Sequence, residues 1–201
     1  MNHEHQPQGG ESSDPPRPER EPQERPQIYV ASLSDYNDGR LHGVWIDAAQ
    51  DAEQLAEAVR AMLDRSPDPG AEEWAIHDYD GFGPLRLGEH ESLERIAALA
   101  QGIVREGPAF AHWAALYDGA NADPAEDFNH LYLGHWASVE EYVEMLVDDL
   151  GYPDLIAQAI PENLHPYVRF DTASYAHDLE LGGEIVSSPG DGGVYLFGPG
   201  G

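Results

Sequence analysis

The chain has 201 residues and carries 38 Asp and Glu against 10 Arg and no Lys, a formal net charge of −28 with a pI near 4.3. That charge excludes direct binding to nucleic acid or to an anionic membrane, both of which need positive charge, while a hydrophobic fraction of 41% supports packed cores and excludes a wholly disordered acidic tail. The absence of Cys excludes disulfides, thiol nucleophiles and thiolate zinc sites, and the lack of a long apolar run or a basic-then-apolar leader points to a soluble, cytoplasmic protein with no membrane partner.

Residues 1–26 read as a disordered tail, rich in Pro, Gly and charge with nothing to bury. The tail holds six acids and three Arg, which leaves 32 acids, seven Arg and a charge of −25 on the folded body. Residues 28–33 and 44–46 are apolar, β-branched and aromatic, and predict two strands. Between them, 34–39 has turn chemistry: Asn and Asp tolerate the left-handed region and Gly accepts positive φ. Asp51 caps a helix to Leu63, with Gln54 as its capping-box partner and Leu55, Val59 and Met62 at helical spacing. Residues 74–79 predict a third strand, so 27–88 reads as a small α+β domain.

The stretch 89–160 reads as a central helical domain. Leu93, Ile96, Leu99, Ala100, Ile103 and Val104 form one stripe ended by Gly107, and Pro108 opens a helix to about Tyr117. Asp123-Pro124 starts a short helix. Ser138 with Glu141 forms a capping box for a helix to Leu150, and Pro153 opens another to Ile160. The C-terminal part, 161–201, returns to α+β. It has a strand candidate at 167–170, a helix from Asp171 to Leu181, and strands at 185–186 and 194–197 joined by a loop over 187–193. The fold class is therefore α+β, an elongated chain of three small domains, because an elongated shape relieves the self-repulsion of so much charge.

Catalytic and metal motifs are missing. None of the ten His shows the i, i+4 pairing of zinc hydrolases, and His130 and His135 are five apart, so these read as structural or surface His. Asp35 to Gly39 begins like a calcium loop, but the Gly comes too early and no bidentate Glu closes it, which favours a plain turn. Phosphate loops, dinucleotide fingerprints and nucleophile elbows are absent. Carboxylate pairs are too abundant here to mark a glycosidase. The expectation is a non-enzyme with no cofactor and no metal.

The acids on helices carry more information. In the 138–150 helix, Val139, Tyr142, Val143, Leu146 and Leu150 make the apolar stripe, while Glu140, Glu144 and Asp148 recur every fourth residue with Glu141 beside them. At 1.5 Å per residue these carboxylates stand roughly 6 Å apart in a row, and like charges at that spacing cost a few tenths of a kcal/mol per pair. From Glu106 to Gly201 there are 17 acids and one base, Arg169. One reading is a solvated, halophile-like face. The sharper one is an array of carboxylates standing in for phosphates. DNA carries one charge per roughly 1.7 Å, so the body's charge would match on the order of 40 Å of duplex.

At this point three segments resemble a known family. Ile28-Tyr-Val-Ala-Ser-Leu-Ser-Asp-Tyr-Asn-Asp-Gly-Arg-Leu-His-Gly-Val-Trp-Ile-Asp47 and Glu72-Glu-Trp-Ala-Ile-His-Asp-Tyr-Asp-Gly-Phe82 are similar to two signatures of the ArdA-type antirestriction proteins. Tyr142 to Gly151, with its Leu-Val-Asp-Asp-Leu-Gly run, resembles their short acidic antirestriction motif. The resemblance covers 27–201 and leaves 1–26 outside.

The resemblance implies a DNA-mimic protein of mobile genetic elements. Such a protein is an elongated homodimer that competitively occupies the DNA site of type I restriction-modification enzymes, at the methyltransferase/specificity core. Carried onto this sequence, the motif places Glu140, Glu141, Glu144, Asp148 and Asp149 in or beside it; Glu126, Asp127 and Asp154 complete the candidate partner-binding carboxylates. Tyr142, Leu146 and Leu150 are the candidate dimer contacts. The alternatives are an acidic binding module for another basic DNA-binding protein, and a small acid-dependent hydrolase.

Overall fold

The computed structural model describes residues 25–117 and 124–200. In chain order the elements are β1 (Gln27–Ser32), α1 (Leu33–Asn37), β2 (Gly43–Asp47), α2 (Ala52–Leu63), β3 (Trp74–Asp80), α3 (Leu93–Glu106), α4 (Pro108–Tyr117), α5 (Pro124–Leu131), β4 (Tyr132–Trp136), α6 (Val139–Asp149), α7 (Tyr152–Ala159), a 3-10 turn (Glu162–Tyr167), α8 (Thr172–Leu181), β5 (Val186–Gly190) and β6 (Gly193–Phe197). The class is α+β, built on two three-stranded antiparallel sheets ordered β2-β1-β3 and β4-β6-β5. No helix among the described residues is long and apolar enough to cross a membrane.

The first sheet shows why alternation makes a half-buried strand. Ile28 and Val30 of β1 point inward with Ile46 of β2 and Ile76 of β3, while Tyr29 points outward beside Trp45. Helix α2 covers the inner face with Leu55, Val59 and Met62. Its start is fixed by Gln54 Oε1, which accepts from the Asp51 N–H at 3.1 Å. Helix α3, capped by the Ser92 hydroxyl, adds Ile96, Leu99, Ala100 and Ile103. A Cβ at Gly102 would lie 2.2 Å from the Phe110 ring, so only glycine lets α4 approach α3 this closely. Gly107, at φ 87°, turns the chain between them.

Two buried clusters result. The first runs from the inner face of the first sheet through α2, α3 and α4 to Phe128 of α5 and Phe197 of β6. The second is made by Val139, Val143 and Val147 of α6 with Ala176, Leu179, Ile185 and Leu196. Leu196 and Phe197 are neighbours on β6, and strand alternation sends one to each cluster.

Several local expectations are corrected. Residues 34–39 are not a plain turn: 33–37 form α1, because the Ser32 hydroxyl caps it by accepting from Asp35 N–H at 3.4 Å. Strand β4 occupies 132–136 within the stretch expected to be helical, since β6 supplies its partner edge. The expected loop over 187–193 is mostly strand: 187–190 belongs to β5, and Asp191-Gly192, with Gly192 at φ 74°, is the two-residue hairpin turn. Residues 167–170 form no strand. The 3-10 turn ends at Tyr167, and Phe170 packs between Tyr152 and Tyr175 at centroid distances of 5.6 and 5.3 Å.

The Pro-rich stretch up to residue 24 and the helix-start residue Asp123 lie outside the described residues. Arg25 and Pro26, assigned to the tail by composition, are part of the fold. Arg25 Nε lies 2.8 Å from Asp47 Oδ2, and the Pro26 carbonyl accepts from Ala48 N–H at 2.8 Å.

Candidate functional site: an acidic helical surface

Helix α6 forms because Ser138 accepts from the Glu141 N–H at 3.2 Å and an apolar line runs along one side. The Glu141 carboxylate reaches back past the cap to Ala137 N–H at 2.8 Å, so Glu141 is partly spent on closing the helix start. The buried line is Val139, Val143 and Val147. The expected stripe is therefore rotated: Tyr142 and Leu146 are half-buried on its flank and Leu150 is 49% exposed. Tyr142 stands edge-on to Trp136 at 5.3 Å. The three form a second, partly open apolar line beside the buried one.

The carboxylates of α6 lie on the remaining surface. Glu140, Glu144, Asp148 and Asp149 are all exposed, as are Glu141 and, on α7, Asp154. Hydrogen bonds from its own backbone N–H and from the Ser138 hydroxyl hold Glu140 below the usual Glu range. No arginine among the described residues lies within ion-pair distance of Glu140, Glu144, Asp148, Asp149 or Asp154. Asp127, on α5, is half-buried and precedes the buried Phe128. Glu126 also lies on α5, and its side chain is outside the described residues.

Helices α6 and α7 and the segment leading into α8 border a groove of about 420 Å³. Val147, Ile156, Ile160 and Phe170 line it together with Glu144, Asp148 and Arg169, the one base of this half of the chain. None of the side chains of α7 is buried. The arrangement presents acids over a partly apolar surface, which suits contact with a basic macromolecule.

Two clusters were not legible in the sequence. Asp35 is fully buried and accepts from Arg40 Nε at 2.9 Å and from the Ser66 hydroxyl. The Ser66 bond, followed by the Arg40 and Ser32 contacts, outweighs burial and holds its carboxyl below the usual Asp range. It pins α1 to the end of α2. On the second sheet, Tyr195 lies between the rings of His112 and His135, with centroids 4.6 and 4.7 Å away, and His112 Nδ1 is 2.7 Å from the Ser188 hydroxyl. Burial, reinforced by His135 and opposed by Asp191, pushes the His112 imidazole below its ordinary value. His130 and His135 are exposed, and no group of three or more potential metal ligands occurs among the described residues.

An acidic α+β protein with a row of open carboxylates on one helix is the class that fold and site define. The family model for the antirestriction protein ArdA matches residues 28–192, from the second residue of β1 to the β5–β6 turn. The chain belongs to the ArdA antirestriction family, and antirestriction is its general function. A comparison with curated proteins finds no match.

Proposed function

We propose that the protein mimics B-form DNA with its surface carboxylates and competitively occupies the DNA-binding site of a type I restriction-modification enzyme, at the methyltransferase/specificity core. The observation that carries this reading is the α6 row of exposed acids, which have no ion-pair partner among the described residues, on a chain half with 17 acids and one Arg. Basic residues that contact phosphates would contact Glu140, Glu144, Asp148, Asp149 and Asp154 instead, with no base readout and no catalysis. The partly open line of Tyr142, Leu146 and Leu150 supports a homodimer, which would double the length of the charged surface. An elongated arrangement of small units belongs to the same reading, since it relieves self-repulsion. The role would place the protein with mobile DNA entering a cell, in the cytoplasm where restriction acts.

The test is displacement. The protein is titrated into a type I methyltransferase core bound to labelled DNA, and the released DNA is measured alongside the oligomeric state on a sizing column. Release that saturates and is outcompeted by excess DNA supports the mimic. Binding to the core without release of DNA overturns it. Binding to a different basic DNA-binding protein, with none to the core, supports the acidic-module alternative.

A further inference from the structure

The outward face of the first sheet is not used by the acidic helical surface, and strand register fixes what it displays. Tyr29 stands opposite Trp45 on one side and Asp78 on the other; Gln27 stands opposite Asp47 and Asp80. Side chains two apart share a face of the pleat, so the aromatic pair adjoins three carboxylates. Trp45 is 46% exposed, and its ring centroid is 5.5 Å from that of Tyr29. A Cβ at Gly43 would lie 2.7 Å from Tyr29 Cζ, so the ring lies over Gly43 and broadens the shelf. Asp78 and Asp80 are exposed, and neither is paired with an arginine among the described residues. Asp47 takes the guanidinium of Arg25 at one corner of the same face. The two long segments that carry the family resemblance, 28–47 and 72–82, supply every one of these residues except Gln27 and Arg25.

We propose that this face is an arginine-binding surface, on which guanidinium groups of a basic protein partner stack over Trp45 and Tyr29 while bonding Asp78 and Asp80. A planar guanidinium offers both an aromatic-facing surface and a donor fork for carboxylate, which a lysine ammonium does not. The surrounding charge favours a cationic occupant over an apolar one. The identity of that partner rests on the DNA-mimic reading; the chemistry of the face does not.

The experiment has two arms on the full chain. In the first, hexa-arginine and hexa-lysine peptides are titrated calorimetrically at fixed salt. The wild type is expected to bind the arginine peptide about fivefold more tightly than the lysine peptide. Trp45→Ala should erase that preference, Trp45→Phe should retain part of it, and Asp78→Asn with Asp80→Asn should weaken both peptides. Equal affinities for the two peptides, or a preference that survives Trp45→Ala, overturns the proposal. If Trp45→Ala does not fold, Trp45→Leu, which keeps apolar bulk without a ring, decides the same point. In the second arm, affinity for the type I methyltransferase core should fall about fivefold in Trp45→Ala, and unchanged affinity counts against the face as a partner contact. A wild type that never binds the core defeats the DNA-mimic reading, while the peptide arm still decides the face.

Discussion

A carboxylate sealed from water must be matched by donors, and Asp35 is: Arg40 Nε and the Ser66 hydroxyl donate to it, while its own backbone N–H donates to the Ser32 cap. Asp35→Asn keeps the shape but loses the charge that Arg40 needs, and should lower the melting temperature by roughly 6 °C or more. Because its folded-state pKa is depressed, Asp35 stabilises the fold above its unfolded value near 3.9 and loses that contribution as pH falls through the folded value. The advantage of wild type over Asp35→Asn should therefore shrink in melts below about pH 4. His112 also has a depressed value, so the unfolded chain takes the proton first. Its neutral packing against Tyr195 and Ser188 is fully available above about pH 6.5 and weakens below it. Melts at pH 7.5 and 5.5 should show the lead of wild type over His112→Gln narrowing at the lower pH; a constant gap would remove His112 from the pH response. Neither residue was legible in advance. Asp35 sits in turn-forming sequence, and its burial depends on Ser66, 31 residues away.

Helix α6 shows what periodicity reveals and where it stops. Its limits and its Ser138 cap follow from the sequence, because capping chemistry is local. The buried line follows only in part: Val139 and Val143 belong to the expected stripe and Val147 does not, since Val139, Val143, Val147 and Tyr142, Leu146, Leu150 run side by side at equal spacing, and only the position of α8 and Leu196 decides between them. Val143→Ala should cost about 2 kcal/mol by thermal or denaturant melts. Leu146→Ala, half-buried, should cost less in the monomer and show its main effect as dimer dissociation on a sizing column. Glu144→Gln alone should be nearly silent, as one screened surface contact among many. Neutralising Glu140, Glu144 and Asp148 together should weaken displacement of DNA and raise the melting temperature by relieving i, i+4 repulsion. If Glu144→Gln alone abolished inhibition in a folded protein, a discrete site would replace the distributed array. Strand β4, and β5 beyond Val186, escaped the pattern for a related reason. Gly134 breaks one, Pro189 and Ser187-Ser188 weaken the other, and each is a strand through its pairing with β6.

For the whole molecule the governing quantity is a charge of −25 on residues 27–201. Contacts of exposed carboxylates are screened over about 10 Å at 0.1 M salt, so affinity for the type I core should fall steadily from 50 to 500 mM salt. A flat profile would mean that apolar contacts carry the binding. The amino-terminal boundary is also testable. A chain starting at Arg25 should melt like the full protein, whereas one starting at Gln27 loses the Arg25–Asp47 pair and the Pro26 carbonyl bond, and should melt lower. The α+β class, the first sheet and most helices could be read from local signals. The joining of the second sheet to both cores could not, because it depends on contacts far apart in sequence.

Strand β6 has a consequence for the order in which the protein is made. Its partner β4 emerges from the ribosome about 60 residues earlier, and must wait with its edge open until Gly193–Phe197 follows. Phe197 and Tyr195 also pack into the cluster begun by the first sheet, so that early unit remains short of two aromatic rings until the same moment. Synthesis interrupted between Trp136 and Gly193 would therefore leave two unfinished interiors rather than one finished half, and a nascent chain stalled there should be an easy target for proteases.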